Sequence, residues 1–118
     1  MVQDALWLLP EDLADLYRDD RECVVAILET FVEQIGLSLE RIRARVESGE
    51  AVELARELHR LKGSLLQLGA METGAKCKAF ERAVPAEPPV SWYARLDTIE
   101  SECREILAEV AGFLRRAG

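Results

Sequence analysis

Apolar residues recur at spacings of three and four along nearly the whole chain, which is the period of helices with one buried face, and few stretches alternate as strands do. Pro10 suits the first turn of a short helix, with Glu11 and Asp12 well placed against its dipole and Leu13, Leu16 and Tyr17 on one face. Asp19 with Glu22 three residues on reads as a capping box that opens a second helix. Val24, Ile27, Leu28, Phe31, Ile35, Leu39, Ile42 and Val46 carry that helix past Gly36, and Ser48-Gly49 ends it. A third helix is predicted from about Ala51 to Gln67, with Gly69 marking its end, and a fourth from about Glu72 to Ala83, buried through Ala75, Cys77, Ala79 and Phe80. The prolines of VPAEPPV make the clearest loop. Beyond it Ser91 can cap a last helix with Leu96, Ile99, Cys103, Ile106, Val110 and Phe113 on its apolar face.

Four long amphipathic helices with short connections predict an all-α fold, an antiparallel four-helix bundle with an additional short N-terminal helix over one end. The 118 residues are most simply one domain spanning 1–118, and Trp7 and Trp92 are expected in its core. Composition adds limits. A net charge of −7 speaks against nucleic acid, whose binding needs clustered positive charge. No apolar run approaches the ~20 residues of a membrane span, and MVQDALWLLPEDL has no basic residue ahead of its apolar patch, unlike a secretory signal. Cys23, Cys77 and Cys103 lack metal-type spacing and fall in helical apolar patterns, so they read as reduced core residues of a cytoplasmic protein.

The third helix holds the only histidine, His59. Leu54, Leu58, Leu61, Leu65 and Leu68 form one stripe, and at ~100° per residue His59 lies about 140° from its centre. The ring therefore faces water. A lone histidine is most simply a packing residue or an uninvolved surface residue, and this geometry removes only the first reading. The neighbours bear on the second. Residues three and four away share its face, which gives Ala55, Arg56, Lys62 and Gly63, with Val52 and Leu66 one turn further. Gly63 costs a helix roughly 1 kcal/mol relative to alanine, so helix stability did not place it. A neutral imidazole is a competent nucleophile, and an anion attached to it would sit within reach of Lys62. Gly63 would let a partner backbone approach, while Val52, Ala55 and Leu66 supply dry contact area.

The stretch HRLKGSLLQLGA resembles the signature of histidine-containing phosphotransfer (HPt) domains, approximately H-x-L-K-G-S-x-x-x-L-G-A, with His59, Leu61, Lys62, Gly63, Ser64, Leu68, Gly69 and Ala70 in register. The similarity extends through ILETFVEQI, KAFERA and the helical layout. The resemblance implies that His59 accepts a phosphoryl group through Nε2, that Lys62 neutralises its charge, and that Gly63 clears the way for a receiver domain. Ser64 and Gln67 are weaker assignments. Ser64 has a local backbone bond as its other reading, and Gln67, about 80° from His59 at helical spacing, is a stretched candidate for an orienting hydrogen bond. Arg56 is a candidate docking charge, whereas Arg60 reads as solvated. The family usually has small residues where Leu65 and Leu66 stand, so Leu66 should reshape the docking surface. Glu50 replaces a frequent capping aspartate, which predicts a looser start to the third helix.

The resulting expectation is a histidine phosphotransfer protein of a multistep two-component phosphorelay. It would take a phosphoryl group from a receiver-domain aspartyl phosphate and pass it to another receiver by in-line transfer. Partners would be receiver domains of response regulators or hybrid sensor histidine kinases. The chain would need no cofactor of its own, Mg²⁺ being expected on the receiver, and would be a monomer. There is no Walker loop or glycine-rich lid for a nucleotide, so it reads as a phosphocarrier without kinase activity. The rival reading is a non-catalytic helical module that docks receiver or kinase domains. A metalloenzyme is disfavoured because one histidine cannot build a zinc site without cysteine help.

Overall fold

The computed structural model describes residues 5–117, all of whose long elements are helices: α1 (Glu11–Asp19), α2 (Arg21–Ser48), α3 (Ala51–Gln67), α4 (Met71–Ala83) and α5 (Trp92–Ala117), with a short 3-10 turn at Pro89–Ser91 before α5. The reading of the N-terminus as no secretory signal rests partly on residues 1–4, which lie outside the described residues.

Each long helix packs on two others, α2 on α3, α3 on α4, α4 on α5 and α5 on α2. Polar pairs join the helices across these seams, and the first two run α5 opposite to α2. Arg21 reaches the Ala117 carbonyl while Arg43 pairs with Glu100, and Thr73 and Lys76 of α4 both meet Glu102 of α5. One continuous core runs between them, with Val24, Leu28, Ile35 and Ile42 from α2, Leu54 to Leu65 from α3, Cys77 and Phe80 from α4, and Leu96 to Val110 from α5. α1 buries no residue fully and lies against this core through Leu13, Leu16 and Tyr17. Tyr17 and Trp7 both pack on the ring of Phe113, at 5.5 and 5.8 Å between centroids.

The tryptophans are buried as expected, and Trp7 Nε1 donates to the Leu68 carbonyl at 2.7 Å, satisfying an acceptor at the end of α3. This segment crosses Gly69 closely. A Cβ there would stand 3.0 Å from the Pro10 ring and 3.1 Å from the Leu8 carbonyl, and φ is +86°, so glycine is required on both counts. Gly49, at φ +73°, closes α2 as predicted.

Four local expectations change. The cap of α2 is Asp20, whose carboxylate accepts from Cys23 N at 3.0 Å, and Asp19 is the last residue of α1; one extended residue suffices to separate the helices. α4 turns Thr73 and Gly74 inward and leaves Ala75 and Ala79 exposed. A methyl group gains little from burial, so Cys77 and Phe80 set the helix phase, and the buried Thr73 hydroxyl is satisfied by Glu102 at 2.7 Å. Ser91 ends the 3-10 turn, its hydroxyl 2.8 Å from the Pro88 carbonyl and 3.2 Å from Glu87, and does not cap α5. Cys23 is only half-buried, unlike Cys77 and Cys103. Glu50 stands at the start of α3 but makes no side-chain cap bond to it: its carboxylate turns back to Arg45 and Ser48, at 3.0 and 2.6 Å.

Candidate functional site

Leu54, Leu58, Leu61 and Leu65 are fully buried, which fixes the rotation of α3 and carries His59 to the surface, its side chain 66% exposed. The ring is not free on all sides. Glu81 of α4 reaches across the seam and places its carboxylate oxygens 3.3 and 3.4 Å from Nδ1. A carboxylate only accepts, so the matching tautomer carries its hydrogen on Nδ1 and presents the Nε2 lone pair away from Glu81. Lys62 lies along the same seam, 20% exposed, with Nζ 3.8 Å from Glu81. The three side chains form one cluster: imidazole outermost, carboxylate between, ammonium tucked beneath.

A groove of about 740 Å³ opens beside the ring, walled by Val52, Ala55 and Arg56 of α3 and by Glu81, Val84 and Pro85 at the end of α4. Its surface is mainly apolar, with cationic Arg56 at the rim, 3.6 Å from Glu53. Arg60 pairs with Glu57 at 3.3 Å and is exposed, in keeping with the solvated reading. On the other side of the ring, Gly63 stands open: no atom lies within 4 Å of where its Cβ would be. Leu66 is 39% exposed and lies over Gly74 of α4, where a Cβ would approach Leu66 Cδ2 to 2.7 Å. Leu65, by contrast, is core.

The structure therefore divides the expected residues. Val52, Ala55, Arg56, His59, Lys62, Gly63 and Leu66 belong to the outer and α4-facing side of α3. Ser64 and Gln67 belong to its α2-facing side. Ser64 lines a crevice with Ser38 and Arg41, and Gln67 lines another with Ile27 and Phe31. The orienting contact assigned to Gln67 is made instead by Glu81. Sequence reasoning missed Glu81, Val84 and Pro85. Phe80 and Val84 fix which face of α4 is buried, but which flank of that face meets α3 depends on the order of helices around the core, and no local pattern carries that.

Burial pushes the Cys77 thiol well up and the Cys103 thiol to about 12, so neither is equipped as a nucleophile or metal ligand. Among the described residues no group of three or more histidine, cysteine, aspartate or glutamate side chains is arranged to hold a metal ion.

The site is thus defined by a single oriented imidazole on the outside of an all-helical frame, beside an apolar groove. The family model of the Hpt domain matches residues 26–112, and the chain belongs to that family. Among solved structures, histidine-containing phosphotransfer protein B (HptB) from Pseudomonas aeruginosa PAO1 has a similar fold, with a TM-score of 0.81 and 23% sequence identity over 92% of this chain and 95% of that one. No curated protein matches the chain in a sequence search.

Proposed function

We propose that the chain is a phosphocarrier of a multistep phosphorelay and that His59 is its phosphoacceptor. The observation that supports this most is the Nδ1 contact to Glu81, which leaves Nε2 as the outward nucleophile. In transfer from a receiver, the Nε2 lone pair forms a bond to phosphorus while the P–O bond of the aspartyl phosphate breaks, and the electron pair returns to the receiver's aspartate. The ring, still holding its Nδ1 hydrogen, gains positive charge facing the Glu81 carboxylate, and that proton later leaves to water. Glu81 acts here as a positioning residue and counter-charge. Lys62 is within one helical turn and turns from Glu81 to the phosphoryl oxygens. Passing the group on reverses these steps.

The groove walled by Val52, Ala55 and Pro85, with open Gly63 and half-covered Leu66 beyond, suits a receiver domain that excludes water around the reacting atoms. Mg²⁺ belongs to that receiver and would offset charge on its side of the transfer. The ring of four long helices is read as an antiparallel four-helix bundle, a rigid platform with little to move at the site. Its apolar stripes are spent internally, which supports a monomer, and the buried thiols suit the cytoplasm. No helix of the described residues is long and apolar enough to cross a membrane.

The test is incubation with a phosphorylated receiver. Acid-labile phosphate is expected on the wild type and none on His59→Gln of equal helicity. The exposed apolar side chains Val52 and Leu66 favour the second reading, a module that docks without being phosphorylated. Receiver binding with no phosphohistidine would establish it and end the first.

A further inference from the structure

Two contacts fix how α3 and α4 lie together. His59 meets Glu81 and Leu66 covers Gly74, and the two contacts are 7 residues apart on both helices, in opposite senses. The helices are therefore antiparallel and in step over about two turns. Lys78 lies between these contacts on α4, four residues after Gly74 and three before Glu81, so it shares their side of the helix. Its level on α3 is that of Lys62 and Gly63. The Lys78 side chain is exposed, and among the described residues it has no acidic partner within 4.0 Å. Gly63 puts nothing in its path.

The electrostatics of the seam leave a role for it. A phosphoryl group on Nε2 brings between one and two negative charges. Lys62, one turn along from His59, starts out shared with Glu81 at 3.8 Å, so wherever it turns the two together carry little net positive charge. Arg56 and Arg60 lean on Glu53 and Glu57. Of the cations without such a partner among the described residues, Lys78 lies nearest the seam on α4, and a lysine stem is long and flexible enough to cross an open glycine.

We propose that Lys78 is a second cation of the site, reaching over Gly63 from α4 to the phosphoryl group carried on His59. The inference rests on His59 being the phosphoacceptor, and it gives Gly63 a second use, as the gap through which this ammonium reaches the load. Arg82, four residues after Lys78, lies about 100° round α4 from Glu81 in the same sense that Lys78 lies about 60°, so Lys78 starts nearer the seam.

The full chain is phosphorylated with phosphoramidate, and the phosphohistidine is followed by ³¹P NMR and by its rate of loss. In Lys78→Gln the resonance is expected to shift and the lifetime to fall roughly two- to fivefold, the scale of an exposed charge pair. Lys78→Arg should restore most of it. An unchanged resonance and lifetime in Lys78→Gln overturns the inference, as does a loss that arginine does not mend. A defect confined to transfer from a phosphorylated receiver, with the lifetime intact, assigns Lys78 to docking and also overturns it. A wild type that takes no phosphate at His59 overturns the phosphoacceptor reading itself, so the two failures are distinct.

Discussion

The carboxylate of Glu81 and the Nδ1 of His59 lie 3.3 Å apart across the seam between α3 and α4. One partner is a ring nitrogen and the other an acceptor with no hydrogen to give, so the pair sets both the tautomer and the direction of the imidazole. Glu81→Gln keeps an oxygen that can accept from Nδ1 and removes the charge; Glu81→Ala removes both. Glu81 is partly exposed, and its hydrogen bond is discounted accordingly. The alanine variant is expected to slow phosphoryl transfer to His59 by about tenfold, and the glutamine variant by less. Rates from a phosphorylated receiver, at equal receiver binding, check this. If the alanine variant transfers at the wild-type rate, the contact does not orient the nucleophile.

The seat of Leu66 on Gly74 gives a second expectation. Alanine in place of Gly74 would gain about 1 kcal/mol in helix propensity but force its methyl against Leu66, and overpacking costs roughly 1–3 kcal/mol. The close atoms are Cδ2 at 2.7 Å and Cγ at 3.2 Å of a side chain that is 39% exposed and can swing outward, so the cost falls at the low end of that range and largely cancels the gain. Gly74→Ala is expected to stay within about 1 kcal/mol of the wild type in urea, and in a Leu66→Ala background, where nothing obstructs the methyl, the same change should stabilise. Strict additivity of the two changes would show that they do not touch.

Most of the helical frame could be read from the chain because large apolar residues outvote everything else in setting a helix phase. Val24 to Val46, Leu54 to Leu68 and Leu96 to Val110 point where their spacing says, and His59 follows from the leucines behind it. Where the vote was cast by small residues, the reading slipped: Ala75 and Ala79 have little area to bury, and α4 rotated to serve Cys77 and Phe80. The α3 half of the site was legible for the same reason as the frame. Glu81, Val84 and Pro85 were not, since a charge beside a buried phenylalanine looks alike whether it faces water or a neighbouring helix. Gln67 shows the converse: helical spacing put it within about 80° of His59, but the crevice it lines belongs to α2.

The cysteines offer a test of packing. Cys77 and Cys103 are fully buried with thiols pushed up by desolvation, Cys103 to about 12, whereas Cys23 is half-buried. Only thiolate attacks a disulfide reagent. At pH 8 the native protein is expected to release one equivalent of chromophore from such a reagent, and the other two only on unfolding. Cys23→Ala should abolish the early phase. Fast reaction of all three would mean that α4 and α5 part readily.

The loop before α5 is stapled by Glu87, which accepts from Arg95 at 2.8 and 3.0 Å and from the Ser91 hydroxyl at 3.2 Å. The Arg95 contact, with help from Ser91, holds this carboxyl below the usual glutamate range. A carboxylate depressed in the folded chain contributes stability above its unfolded value of about 4.3, and that contribution is lost as pH falls through the folded value. Glu87→Gln should therefore melt below the wild type at pH 7, and the gap should close as both are acidified to about pH 3, where the wild-type carboxyl is being protonated as well. Other carboxylates such as Glu50 titrate in the same range, so the wild type's own acid loss is not diagnostic and the difference between the two proteins is. Melting temperatures measured side by side at both pH values decide it. A gap that stays constant with pH would assign the loss to shape and hydrogen bonding, and the charge of Glu87 would then carry none of the staple.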